Sequence, residues 1–169
     1  MTVKKGRSLQ TVGAAALLDF VYESAVEIGR RRFTTPDDDW FPVLVFPGPS
    51  GEMNVVGVPM IEDRKDEVAA AIAALLSTNS ARSAAMVVST WMIARPAEDA
   101  DGAALRPSQA PDRREALVML AVDDSSAITR VAFIERHPAG PPTLGPAEDL
   151  GDGPDQGGRL IDALRLGVS

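Results

Sequence analysis

The side chains that carry most enzyme chemistry are nearly absent from this sequence. Its 169 residues include no cysteine and a single histidine, His137. A cysteine nucleophile and a thiolate metal site are therefore excluded, and a histidine-based triad has one candidate base. The turn at Gly48-Pro49-Ser50-Gly51 lacks the Lys-Ser/Thr pair and the helix that follow a phosphate-binding loop, so it predicts a hairpin turn. We predict no cofactor.

One polar loop has the residue types of a ligand site. Residues 95–114 join two predicted strands and exceed the ~12–15 residues beyond which structureless loops are often functional. Such a loop could orient an anionic small molecule. We favour the simpler interpretation, which is a solvated connection whose Asp112 and Arg113/Arg114 pair with neighbouring strands. His137 at the strand end would then be only a surface or hydrogen-bonded residue. The candidate ligand-binding residues are Arg106, Ser108, Asp112, Arg113, Arg114 and His137.

Two clusters of like charge have simpler explanations than a site. Asp37-Asp38-Asp39 lacks the spaced ligands of a calcium loop, so we interpret it as a linker between a helix and a strand and predict no metal site. Arg30-Arg31-Arg32 ends a predicted helix, where positive charge complements the helix dipole.

The overall charge and composition narrow the choice of partners. The net charge is −7, with 24 acidic and 17 basic residues, which argues against nucleic-acid binding. No apolar run approaches the ~18 residues of a membrane-spanning helix. Together with the lack of cysteine, this predicts a cytoplasmic protein without a membrane segment. The high content of Ala, Arg, Asp and Pro, with few lysines, suggests a GC-rich bacterial genome.

Hydrophobic periodicity predicts an α+β fold with the order α-β-β-α-β-β-β. Ser8 is the expected N-cap of the first helix, and Phe20, Val21, Ala25 and Ile28 are expected on its buried face. The simplest architecture is a mainly antiparallel sheet of about five strands with both long helices on one face. We expect Trp91 in the core and Trp40 partly buried. The predicted helices are residues 8–32 and 63–77, and the predicted strands are 40–46, 53–60, 84–93, 115–122 and 128–136.

The composition changes after His137. Residues 138–158 are rich in Pro, Gly, Asp and Glu and have little to bury, so we expect an irregular segment. Residues 160–166 then have the pattern of a short amphipathic helix. The predicted organisation is one α+β domain over 1–137 and a tail over 138–169.

Two classes of function are consistent with these features. The favoured hypothesis is a non-enzymatic binding or assembly module, a homo-oligomer or a binder of another protein, that acts through a sheet face or the terminal helix. The near absence of catalytic residue types favours it, and so does the strand 84–93, which carries apolar side chains on both of its faces. The alternative is a small enzyme or ligand-binding domain with its site at the 95–114 loop.

Overall fold

The computed structural model describes residues 12–93, 104, 106–150 and 159–168. Within these residues it contains three α-helices and six β-strands, with short 3-10 turns at Glu62–Arg64 and Pro107–Gln109. The helices are α1 (Ala14–Arg32), α2 (Lys65–Thr78) and α3 (Arg159–Gly167). The strands are β1 (Val43–Pro47), β2 (Met53–Gly57), β3 (Ser83–Met92), β4 (Arg114–Asp123), β5 (Ala127–His137) and β6 (Gly140–Asp149).

All six strands form one sheet in the order β2-β1-β3-β4-β5-β6, and every neighbouring pair is antiparallel. This confirms the α+β class and the antiparallel sheet, with six strands instead of five. The long strands β3, β4 and β5 form the centre of the sheet. The predicted hairpin β4–β5 is confirmed, with residues 124–126 between its strands.

The sixth strand corrects the prediction of an irregular segment after residue 137, which is wrong for residues 140–149. Because β6 lies at the edge of the sheet, only one of its sides needs hydrogen-bonding partners, and proline is tolerated there. Leu144 packs against the core beneath α1, and the Tyr22 hydroxyl of α1 donates to the Gly145 carbonyl at 2.9 Å. Arg130 on β5 adds ion pairs to Asp19 of α1 and Asp149 of β6.

The helices lie on both faces of the sheet, so the expectation that both long helices share one face is wrong. Along the central strands, the side chains of consecutive residues point alternately into two separate hydrophobic cores, one on each face of the sheet. Ala85 and Val87 of β3 pack under α1, whereas Ala84 and Met86 pack under α2 and α3. A strand that is apolar on both sides, as β3 is, therefore has a helix to pack against on each side.

Helix α1 is confirmed, and its predicted buried face is right at Val21 and Ala25 but wrong at Phe20 and Ile28. Its buried residues are Ala14, Leu17, Leu18, Val21, Ala25 and Gly29, whereas Phe20 and Ile28 are exposed. Both faces of the helix carry apolar residues, and periodicity alone did not show which one meets the sheet. The predicted N-cap Ser8 lies outside the described residues. At the other end of the helix, Arg30 and Arg31 pair with Glu27.

Helix α3 packs on its own chain. Ile161, Ala163 and Leu164 are buried against α2 and the sheet. The contact with α2 is close at the end of α3, where a Cβ atom added to Gly167 would lie 2.7 Å from the Cβ of Leu76 and 2.9 Å from the Ala73 carbonyl oxygen. Glycine is therefore the residue that lets the two helices approach this closely.

Asp123, at the end of β4, holds both the β4–β5 turn and the start of α1. Its Oδ2 accepts a hydrogen bond from the Ala14 amide at 2.8 Å, and its Oδ1 accepts from the amides and hydroxyls of Ser125 and Ser126. Partial burial alone would raise the pKa of this carboxyl, but these donors outweigh it and hold the pKa well below its usual range. The N-terminal amides of α1 are thus capped by a residue distant in sequence.

Replacing Asp123 with asparagine should lower the free energy of unfolding by about 1–2 kcal/mol near pH 7, because an NH₂ group would face donors that now meet a carboxylate. A folded pKa below the unfolded value stabilises the protein above about pH 4, and this contribution is lost as the pH falls further. The difference between wild type and variant should therefore shrink below about pH 4 in urea titrations. Asp124→Asn, in the exposed part of the same turn, is the control. Equal losses in the two variants at every pH would contradict the capping role.

Candidate functional site

An open apolar groove lies between α1 and the part of the sheet that α1 leaves uncovered. Helix α1 packs on β3 to β6, so β1 and β2 extend beyond it on the same face. The groove has a volume of about 530 Å³. Its apolar walls come from the exposed side of α1, the residue before β1 and the two strands, and they include Phe20, Ile28, Phe41, Val43 and Val55. We call it the helix–sheet groove.

The floor of the helix–sheet groove is formed in part by Trp40, which comes from the linker between α1 and β1. Its indole nitrogen donates to the Ala25 carbonyl of α1 at 2.9 Å, and its ring meets that of Phe33 edge to face at 4.7 Å. A Cβ added to Gly29 would lie 2.9 Å from the ring, so this glycine provides the space for the indole. Trp40 is 6% exposed and Trp91 is 40% exposed, which is the reverse of the expected order.

Phe41 is the most exposed apolar residue of the groove, with 83% of its surface accessible. It follows the buried Trp40 directly, in the linker that leads into β1, and both residues line the groove. Val55 on β2 is 60% exposed beside it. Large apolar side chains held in the open at one place are typical of interaction surfaces.

Two charged residues, Arg32 and Asp39, also line the groove. Asp39 is engaged by Arg136 of β5 at 3.3 Å. The Arg136 guanidinium also binds both carboxylate oxygens of Glu115 and the carbonyls of Pro36 and Asp38. The hydrogen bonds to Glu115 raise the pKa of Arg136. Arg136 therefore fixes the 36–39 linker to the sheet, whereas Arg32 makes no ion pair with the described residues.

A second, smaller groove lies on the opposite side of the sheet. Its volume is about 400 Å³, and it is formed by the chain between β2 and α2, by α2 and by the start of α3. Met60 and Ile61 line it and are partly exposed, with Glu62 and Lys65 at its border. Both grooves thus adjoin the β2 end of the molecule.

The residues predicted to form a ligand site lie at several separate places. Arg106, Ser108 and Asp112 are exposed, and Gln109 folds back to bond the Arg106 backbone. Neither groove includes any of the six candidates. Residues 95–103 and 105 of the predicted loop lie outside the described residues, so a site at this loop stays a prediction.

Arg113 and Arg114 are directed to opposite faces of the sheet. The Arg113 guanidinium stacks on Trp91 at 5.0 Å from the ring centre, and that of Arg114 stacks on Phe133 at 3.5 Å. Trp91 lies opposite Glu115, on the α1 side of the sheet, and Phe133 lies opposite Ala116, on the other side. Both arginines thus have aromatic partners, and the two do not converge on one point.

His137 lies at the end of β5, on the surface, where its Nε2 is 2.9 Å from the Thr143 hydroxyl of β6. Among the described residues, no hydrogen bond or ion pair joins His137 to Arg106, Ser108, Asp112 or the two arginines. Three of the six candidates therefore have separate partners, His137 across the β5–β6 pair and the two arginines in aromatic stacks. The described residues do not assemble the six into a single pocket.

The described residues contain no group of three or more metal-ligating side chains that could hold an ion. In the 37–39 cluster, the Asp38 carboxylate accepts hydrogen bonds from the backbone amides of Thr35 and Thr34 at 2.7 and 2.6 Å. These bonds lower the pKa of the Asp38 carboxyl. Among the same residues no helix is long and apolar enough to cross a membrane.

The residues of the helix–sheet groove were not identified as a site from the sequence. The available signal was the apolar, uncharged stretch 53–61, which lies between Glu52 and Glu62. No protein-family model matches this chain, and no curated protein and no solved structure matches it.

Proposed function

We propose that this protein is a non-enzymatic binding or assembly module of the bacterial cytoplasm, and that the helix–sheet groove is its binding surface. The observation that carries the proposal is the exposure of Phe41 and Val55 beside Phe20 and Ile28, above a floor that contains the ordered Trp40. Aromatic anchors around a preformed apolar depression are the usual centre of a protein interface.

The chemistry of the groove supports binding over catalysis. Its charged lining residues are Arg32 and Asp39, and Asp39 is already engaged by Arg136. The described residues that line the groove include no histidine and no pair of carboxylates that could serve as a general acid and a general base. The groove is also open on its β2 side, which suits a partner's chain.

The mode of binding follows from the shape of the groove. An apolar side chain of the partner would enter between α1 and Phe41 and rest on the floor at Trp40, while the polar border at Arg32 stays hydrated. Because Trp40 is fixed by its bond to Ala25 and by Phe33, the site is largely formed before the partner arrives.

The test uses a displayed library of random peptides as the probe. We expect selection on the wild-type protein to enrich apolar peptides, and Phe41→Asp to weaken their binding by about thirtyfold or more, the loss typical of an interface anchor. Leu166→Asp is the matched control, because Leu166 is 79% exposed on α3 and lines neither groove. Peptides that bind Phe41→Asp as tightly as wild type, or a selection that enriches nothing, would refute the proposal.

A further inference from the structure

The two edges of the sheet differ in whether they can accept another strand. The β6 edge carries Pro141, Pro142 and Pro146, which have no amide hydrogen to donate, and it ends in Glu148 and Asp149. Prolines and charges are the usual devices that protect a sheet edge from pairing. The β2 edge has neither, since residues 53–57 are Met-Asn-Val-Val-Gly.

Among the described residues no strand pairs with the outer edge of β2, and three residues of β2 present their backbone groups there. The Val58 amide donates to the Pro42 carbonyl at 2.8 Å, and the Glu52 carbonyl accepts from Gly48 at 2.7 Å, so both residues turn their backbone groups toward β1. These groups alternate in direction along a strand. Met53, Val55 and Gly57 therefore direct their amides and carbonyls outward, and a Cβ added to Gly57 would meet no atom within 4 Å.

We infer that this edge pairs with the same edge of a second copy of the chain, antiparallel and with the two-fold axis at Val55. The inference rests on the proposed function, since it names the partner of the assembly module. Backbone hydrogen bonds between the two copies require that each outward-facing residue lies opposite another outward-facing residue. These residues are every second one in β2, so the two-fold axis must pass through a residue and not between two residues. Placing it at Val55 sets Val55 opposite Val55 and Met53 opposite Gly57, which pairs all three outward residues with about six hydrogen bonds.

The charge distribution favours a second copy at this edge. Two chains of net charge −7 repel each other, and that repulsion is weakest where the contact has no charge. Residues 53–61 contain no charged side chain. In the proposed register Glu52 faces Val58 of the other copy, so the glutamates do not oppose each other.

Pairing would also join the two binding surfaces. Side chains opposite each other in an antiparallel pair point to the same face, so both helix–sheet grooves would open on one side of a sheet of twelve strands, six from each copy. The uncovered floor would then comprise β1 and β2 of both copies, bounded by the two α1 helices. This arrangement is a closed two-fold dimer, the commonest form of homo-oligomer.

The experiment introduces a charge of either sign at Val55 and measures the state of association by sedimentation. We expect the wild type to be dimeric at micromolar concentration, and Val55→Lys and Val55→Glu each to raise the dimer Kd by about tenfold or more, because like charges would then face each other. An equimolar mixture of the two variants should recover a heterodimer. Val55→Pro should also dissociate the dimer, because it removes an outward amide. Circular dichroism verifies that each variant is folded.

Leu166→Glu is the control for a new charge at an exposed apolar residue, and it should leave the dimer intact. A monomeric wild type, variants as dimeric as wild type, or a mixture that stays monomeric would each overturn the inference. A monomer that still binds peptides through Phe41 removes the self-pairing and leaves the proposed function standing. If Phe41-dependent binding is also lacking, both fail.

Discussion

Replacing Trp40 with alanine should lower the free energy of unfolding by about 3–5 kcal/mol, whereas replacing Trp91 should cost about 1–2 kcal/mol. Trp40 is 6% exposed, contacts Ala25 and Gly29 of α1 and the adjacent Phe33, and belongs to the core cluster between α1 and the sheet. Its removal leaves a cavity beneath the C-terminal half of α1. Trp91 is 40% exposed at a strand end, where its main specific contact is the stacked Arg113. Urea unfolding followed by circular dichroism measures both losses.

Fluorescence gives an independent check of the same assignment. With Trp91 replaced, the remaining Trp40 should emit at the short wavelength of a buried indole, and with Trp40 replaced, Trp91 should emit nearer to the wavelength of a hydrated one. Trp40→Ala should also weaken binding at the helix–sheet groove, since it removes part of the floor. Equal stabilities of the two variants would contradict this assignment, and Trp91 as the costlier loss would restore the order expected from the sequence.

Elements whose pattern is local could be predicted from the sequence. Helices α1 and α2 follow the three- and four-residue spacing of their apolar residues, and the β4–β5 hairpin follows two apolar strands joined by a short polar turn. The capping of α1 could not be predicted, because the acceptor Asp123 lies 109 residues away from Ala14. Contacts of this kind depend on the assembled sheet.

The errors share one physical origin, which is that composition does not determine tertiary position. The stretch 140–149 has the proline content of a loop, but an edge strand needs partners on one side only. Phe20 and Ile28 have the spacing of a buried helix face, and they face the groove because α1 packs with its Leu17 and Leu18 side instead. Trp40 lies in a linker, and its burial depends on the space left by Gly29.

The candidate site also shows that apolar or charged residue types can be recognised from the sequence, whereas their positions in the fold cannot. The groove residues were recognised as apolar, but a groove exists only because α1 lies over β3 to β6 and leaves Val55 of β2 exposed beside it. The sequence does not specify that offset. Conversely, Arg113 and Arg114 are adjacent in sequence and suggested one site, while the alternation of a strand sends them to opposite faces.

Replacing Leu164 with alanine should lower the free energy of unfolding by about 2–5 kcal/mol. Leu164 is fully buried in the core shared by α2, α3 and the sheet, where Leu44, Met86 and Val122 belong to the same cluster. The truncated side chain leaves a cavity that helices fixed by the close contact at Gly167 cannot readily fill. The C-terminal helix is therefore expected to stabilise the domain itself.

Leu166→Ala is the control on the same helix, because Leu166 is 79% exposed and should change stability by about 0.5 kcal/mol or less. Both variants are best measured in a Val55→Lys background, so that dimer formation does not contribute to the unfolding free energy. If α3 packs on its own chain, the loss from Leu164→Ala is the same at about 1 and about 100 µM protein. If α3 instead crossed to another copy, the stability in this background would rise with concentration and Leu164→Ala would reduce that dependence. A negligible loss for Leu164→Ala would mean that α3 contributes nothing to the core.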